Sequence, residues 1–166
     1  LQPKYGGHFE SIKRLEPHQA HKTLGCHPAV NGSQECQFQM IKAYIQIWTR
    51  KIQSAPLSKA DKVKAYRSYL EKKLLYILPT CSFTYQQCLI LDKLLSSVLF
   101  NCHGFQKNCN RSVMYLTDEL GGLKIMSMYH LQGFSKIQFL CIHSRTFDTT
   151  GKLFQISQRF TQLECG

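Results

Sequence analysis

The sequence predicts a mainly α-helical protein with a short β-hairpin at its N-terminal end. Two observations predict this class. Apolar residues recur at helical spacing over most of the chain beyond residue 33, and prolines or glycines end each such stretch. The 166 residues are 43% hydrophobic, which is typical of a globular chain. We divide the chain into a hairpin segment (1–32), a basic helical region (33–105) and a C-terminal region (106–166).

The individual elements follow from local patterns. Residues 9–15 and 22–27 flank a turn at 16–20, which predicts the hairpin. The spacing of apolar residues predicts helices over 33–54, 58–78, 84–100, 127–144 and 150–163. The second of these begins at a capping pattern formed by Ser58 and Asp61. Residues 113–116 are interpreted as a short strand between a polar loop and the break at Gly121 and Gly122.

Positive charge is concentrated in the middle of the chain. The chain holds 21 Lys and Arg against 10 Asp and Glu, a formal net charge of +11. Nine of these basic residues, but only two acids, fall within residues 42–73. On a helical wheel of residues 58–78, one strip beside the apolar face carries Lys62, Tyr69, Lys73 and Tyr76.

This charge pattern indicates an acidic partner, and nucleic acid is the interpretation we favour. Cations beside aromatic rings suit a phosphate backbone with its sugars and bases. The residues predicted to bind nucleic acid are Lys42, Trp48, Arg50, Lys51, Lys62, Tyr69 and Lys73. The alternatives are a solvated helix face, whose lysine stems cover apolar surface, and contact with an acidic protein or membrane surface.

Eight cysteines are present, and no two have Cys-x-x-Cys spacing. We interpret them as reduced thiols that pack like small hydrophobic side chains. Five lie in or beside apolar helical stretches: Cys36, Cys81, Cys88, Cys102 and Cys141. A zinc site is the alternative at two places, at Cys102, His103 and Cys109 and at Cys26, His27 and Cys36. Each offers three of the four usual ligands.

Several enzyme classes are not indicated by the sequence. Its ten acids are scattered, whereas two-metal nucleotidyl transfer needs converging carboxylates. It contains no phosphate-binding loop, His-Glu-x-x-His or Gly-x-Ser-x-Gly motif. We therefore expect no catalytic residue, no metal and no cofactor in this chain. With short apolar runs and no secretory signal in residues 1–20, we expect an intracellular protein of the nucleus or cytoplasm, neither secreted nor bound to a membrane.

Several short motifs follow one another in a distinctive order. They are KTLG at 22–25, a basic helix with Trp48, PLSKADK at 56–62, LYILP at 75–79, LDKL at 91–94 and LGGLKI at 120–125. Together they resemble the C-terminal part of the reverse transcriptase of non-LTR (LINE-type) retrotransposons. The resemblance runs from about residue 8 to about residue 145. It rests on the order and spacing of the motifs, since each alone is weak.

The resemblance implies a place for each part of the chain. Lys22, Leu24 and Gly25 match the hairpin at the end of the palm, next to the primer terminus. The basic helices would form the thumb, which grips the template–primer duplex of RNA and DNA, with residues that include Trp48, Lys62 and Lys73.

The post-thumb motif of such enzymes is matched by Gly121 and Gly122. Here Lys124 stands where the family pattern usually has a glycine, and a side chain there disfavours a positive φ.

The catalytic aspartates of such enzymes lie in a Tyr/Phe-x-Asp-Asp turn before the hairpin and are not in this sequence. The resemblance therefore implies a truncated fragment of an RNA-directed DNA polymerase that cannot polymerise by itself. Its partners would be nucleic acid and the missing palm and fingers, and Mg²⁺ would belong to the parent polymerase. The alternatives are a stand-alone helical nucleic-acid-binding module, metal-stabilised through Cys102, His103 and Cys109, and a non-functional relic.

Overall fold

The computed structural model describes residues 16–17, 19–22, 26–103, 105, 109–146 and 148–165, without the side chains of residues 102, 103 and 111. Most of this part of the chain lies in the helices α1 (Glu35–Ser54), α2 (Lys59–Ala65), α3 (Lys72–Ile77), α4 (Tyr85–His103), α5 (Met128–Thr146) and α6 (Thr149–Cys165). A π-helical segment, Tyr66–Glu71, joins α2 directly to α3. Three short 3-10 helices lie in the connections, at Leu78–Thr80, Arg111–Met114 and Asp118–Leu120. The mainly helical fold class is confirmed.

The predicted N-terminal hairpin falls largely outside the described residues. Within the described part, Ala20 and Ala29 form an isolated antiparallel bridge. The amide of His21 donates to the carbonyl of Pro28 at 3.1 Å. The strand at 9–15 and the KTLG positions 23–25 lie outside the described residues, so the hairpin stays a prediction.

The core is built where the apolar periodicity places it. Helix α1 buries Phe38, Ile41, Ile45, Trp48 and Ile52, at alternating spacings of three and four. Helix α4 packs along α1, and α5 packs against both α4 and the Leu78–Thr80 turn. The segment from α2 to α3 completes the core with Val63, Tyr66, Leu70, Leu74 and Ile77.

Side-chain caps fix two helix starts. The Ser58 hydroxyl accepts a hydrogen bond from the amide of Asp61 at 3.2 Å, so the capping pattern predicted for α2 is confirmed. At α4, the amide of Thr84 donates to the side chain of Gln87 at 2.9 Å, while the amide of Gln87 donates back to the Thr84 hydroxyl at 3.3 Å. This second pair is a capping box that the sequence analysis missed.

The short strand predicted at 113–116 is wrong. Arg111–Met114 forms a 3-10 helix because the Asn110 side chain caps it, accepting from the amide of Ser112 at 3.0 Å. The β-branched Val113 does not override this cap. Its carbonyl still accepts from the amide of Leu123 at 3.3 Å, so the turn pairs with the segment that follows Gly122.

The packing predicted for the cysteines holds for two of those in the described part and fails for two others. Cys81 and Cys88 are buried, and burial raises the pKa of the Cys81 thiol to about 11. Cys36 and Cys141 are exposed. Cys36 lies two residues before Phe38, which places it on the opposite side of α1 from the core.

Candidate nucleic-acid interface

Most cations of residues 42–73 have no acidic partner in the part of the chain that the structure describes. Among the described residues, Lys64 lies 3.8 Å from Asp61, and Arg67 lies 3.6 Å from Asp118. No other ion pair within the described part involves this stretch, which leaves seven cations unpaired: Lys42, Arg50, Lys51, Lys59, Lys62, Lys72 and Lys73. We name these seven residues the basic surface. These residues lie on α1, α2 and α3, and such an excess of unneutralised positive charge attracts polyanions.

One lysine of the basic surface is held where α1 meets α3. The ammonium of Lys73 lies 3.6 Å from the centre of the Tyr44 ring, a cation–π contact. Burial, together with the proximity of Tyr69, raises the pKa of Tyr44 well above its usual range. Tyr44 therefore stays neutral and fixes the direction of Lys73, whose side chain is exposed. Tyr44 was missed in the sequence analysis, although it lies one helical turn before Trp48.

Trp48 faces away from the basic surface. It is buried, and its ring meets that of Tyr66 edge-on with centroids 6.1 Å apart. Of the aromatic residues proposed from sequence, Tyr69 is instead 58% exposed. Trp48 thus supports the core between α1 and the π segment, whereas Tyr69 presents a ring on which a base or sugar can stack.

The remaining predicted residues on α1 occupy different environments. Arg50 and Lys51 are exposed near the end of the helix, and Lys42 is half-buried. The Arg50 Nε donates to the carbonyl of Gln46 at 3.3 Å, which directs its guanidinium along the helix surface. Lys22 is exposed, while Leu24 and Gly25 lie outside the described residues.

A uniform wheel does not apply from Lys62 to Lys73. The π segment between them has more residues per turn than an α-helix, so side chains that follow it are rotated relative to those before it. Lys62 precedes this segment, Tyr69 lies within it and Lys73 follows it. The single strip predicted for these residues assumed a constant helical pitch, and that assumption fails here.

The Gly-Gly-Leu segment (residues 120–125) is attached to the π segment by an arginine. Arg67 Nη2 donates to the carbonyl of Leu123 at 2.8 Å and also approaches Asp118. The segment needs both glycines. Gly121 has φ +73°, and a Cβ on Gly122 would lie 2.2 Å from the carbonyl oxygen of Leu116. Arg67 was missed because only the fold brings it to this loop.

Lys124 adopts the conformation that its side chain disfavours. Its φ is +45°, and it is the non-glycine residue with positive φ in the described part of the chain. The left-handed region penalises any residue with a Cβ. The amide of Lys124 donates to the carbonyl of Leu116 at 2.7 Å, which holds the backbone in this turn.

One acidic residue, Asp92, links α4 to the start of α5. Asp92 of α4 accepts a hydrogen bond from the amide of Met128 at 2.9 Å, at the start of α5. Burial raises the pKa of the Asp92 carboxyl to about 6, against the opposing effects of the Met128 hydrogen bond and of His130. No group of three metal-ligating side chains is found among the described residues. Cys26, His27 and Cys36 lie within the described part and form no such group, whereas the side chains of Cys102 and His103 lie outside it.

An apolar cleft of about 700 Å³ is lined by none of the residues of the basic surface. It lies among residues 26–28, the start of α1, the end of α3 and α5, with Leu75, Phe139 and Ile142 in its wall. Among the described residues, no Lys, Arg, Asp or Glu lines it. A phosphate group would find no counter-charge there, so the cleft is not a candidate for backbone binding.

No family model, curated protein or solved structure matches the chain. No helix of the described residues combines the length and apolarity needed to cross a bilayer. A function must therefore be inferred from the residues and their geometry.

Proposed function

We propose that this chain is the thumb and post-thumb part of a reverse transcriptase of the non-LTR retrotransposon type, and that it holds the RNA–DNA template–primer duplex. The observation that carries the proposal is the basic surface, whose seven cations have no acidic partner in the described part of the chain. Such cations can displace condensed counterions from a phosphate backbone. The catalytic aspartates and their Mg²⁺ would be supplied by the palm of the parent chain.

The backbone at Lys124 supports the family assignment. The resemblance places a glycine at this position, and the backbone there is left-handed, with φ +45°. Glycine adopts this conformation without steric penalty, whereas lysine does not. The geometry thus favours the residue of the family pattern at the one position of the motif where this sequence departs from it.

Salt-dependent duplex binding tests the proposed grip. The affinity of the whole chain for a labelled RNA–DNA duplex would be measured by fluorescence anisotropy between about 50 and about 200 mM KCl. We expect log affinity to fall linearly with log salt concentration. The Lys51→Gln/Lys62→Gln variant should bind more weakly, with a slope smaller by about 2, because each lost phosphate contact removes about one ion from the exchange.

A matched control distinguishes the effect of the basic surface on duplex binding from the effect of the total charge of the chain. Lys93 is exposed on α4, outside residues 42–73, and Lys93→Gln removes one charge elsewhere. Its slope should stay within experimental error of the parent chain. Binding that ignores salt, or an equal loss per charge in Lys93→Gln, would refute a grip by the basic surface.

The reverse-transcriptase assignment has a separate test. The coding DNA upstream of Leu1 would be sequenced and translated in frame. A Tyr/Phe-x-Asp-Asp turn shortly before Leu1 supports the assignment. A start codon near Leu1 without such a frame overturns it and leaves the helical binding module or the relic, which duplex binding then distinguishes.

A further inference from the structure

Helix α6 carries an apolar stripe that nothing in the described part of the chain covers. Its members, spaced by three, four and three residues, are Leu153, Ile156, Phe160 and Leu163. Each is at least 60% exposed, and Leu163 is 84% exposed. This spacing places all four on one side of the helix, as at the a and d positions of a heptad.

The first turn of α6 fixes the direction in which this stripe points. Gly151 is buried against α5, where a Cβ would lie 2.1 Å from the carbonyl of His143. Asp148 accepts from the amide of Gly151 at 2.7 Å and lies 2.6 Å from the His143 ring. Gly151 is on the opposite side of the helix from Leu153, so the stripe faces away from α5.

Beyond this turn, α6 has little to hold it. Every residue from 156 to 165 is exposed. A helix of this length is marginal in water without tertiary packing of an apolar face. An occupant that covers the stripe would supply that packing.

The charges beside the stripe are complementary to those of a second copy of the chain. With Leu153 at position a, Arg159 is at g and Glu164 is at e of the following heptad. In a parallel pair of helices, g of one chain meets the following e of the other, so Arg159 would pair with Glu164 of the partner copy twice. An antiparallel pair would instead place the two Arg159 side chains near each other.

We propose that the chain forms a parallel homodimer through α6, with the apolar stripe as the seam and two Arg159–Glu164 pairs beside it. The pairing is isologous, because the same face of each copy meets its equivalent across a two-fold axis. This dimer does not depend on the proposed function. Within one chain, residues 159 and 164 are five positions apart, so they do not form the pair that residues three or four apart form on a helix.

Sedimentation of the whole chain tests the proposal. The measurement would run from about 1 to about 200 μM, in reducing buffer so that exposed cysteines do not cross-link the copies. We expect a reversible monomer–dimer equilibrium. Arg159→Glu and Glu164→Arg should each weaken it by about tenfold or more, because each sets like charges opposite one another. The double variant Arg159→Glu/Glu164→Arg should restore dimerisation.

Two further variants keep the test decisive. Gln158→Glu places a charge away from the seam and should leave the dimer unchanged, whereas Leu163→Asp at the seam should abolish it. Circular dichroism of each variant at low concentration checks that the body of the protein remains folded. A monomer throughout the range, a larger assembly, or single charge variants that dimerise as well as the double variant would overturn the proposal.

Discussion

Replacing Lys124 by glycine should stabilise the protein. Lys124 is exposed and has φ +45°, and its side chain makes no ion pair with any described residue. A left-handed conformation costs a residue with a Cβ about 1–2 kcal/mol. Glycine removes this strain but adds about 0.5–1 kcal/mol of chain entropy to the unfolded state. The net gain in the free energy of unfolding should be about 0.5–1 kcal/mol, or roughly 1–4 °C in Tm for a chain of this size.

Urea denaturation of the whole chain measures this gain. The midpoint should rise for Lys124→Gly while the m-value stays constant, because only the strain has changed. Lys124→Ala is the matched control, since it removes the ammonium but keeps the Cβ and its strain. If the glycine variant were no more stable than the alanine variant, the left-handed backbone at Lys124 would not be strained and the reasoning would fail.

Three other changes test the packing and the buried charge, each by urea midpoint. Gly122→Ala should destabilise by about 2 kcal/mol or more, since its Cβ meets the Leu116 backbone. Gly133→Ala, which has open space on α5, should instead stabilise by about 0.5–1 kcal/mol. Burial raises the pKa of Asp92 from 3.8 to about 6, so the folded state binds this proton more tightly than the unfolded state. The free energy of unfolding should therefore fall as the pH rises from about 4 to about 6. Asp92→Asn, which can still accept from Met128, should lack this fall.

The helices were predictable because their periodicity records burial directly. The residues of α1 that recur every three or four positions are the ones found in the core, and Ser58 caps α2 as its sequence pattern indicates. The π segment left no comparable signal. Its buried residues Tyr66 and Leu70, and the buried Leu74 of α3, are spaced by four and four, which an α-helix also accommodates. A wheel at constant pitch therefore misplaced Lys73 relative to Lys62.

The candidate site was predictable in composition but not in orientation. The count of cations in residues 42–73 follows from the sequence alone, whereas their freedom from acidic partners depends on tertiary contacts. Trp48 shows the limit most clearly: it belongs to the apolar stripe of α1 and also stands beside cations. Only its packing against Tyr66 shows that the Trp48 ring belongs to the core. Tyr44, one turn earlier, is the ring that holds a lysine.

The π segment and the Gly-Gly-Leu segment are in contact with each other. The conformation of each therefore could not be predicted from its own sequence alone. Arg67 donates to the carbonyl of Leu123 from within the π segment, so a change in either segment acts on this hydrogen bond. The loop can offer that carbonyl only because Gly122 lets its backbone approach Leu116. The sequence of each element shows Arg67 and the two glycines, but it does not predict that the arginine contacts the loop that contains them. The π segment and the Gly-Gly-Leu segment therefore form one structural unit, joined by the hydrogen bond from Arg67 to Leu123.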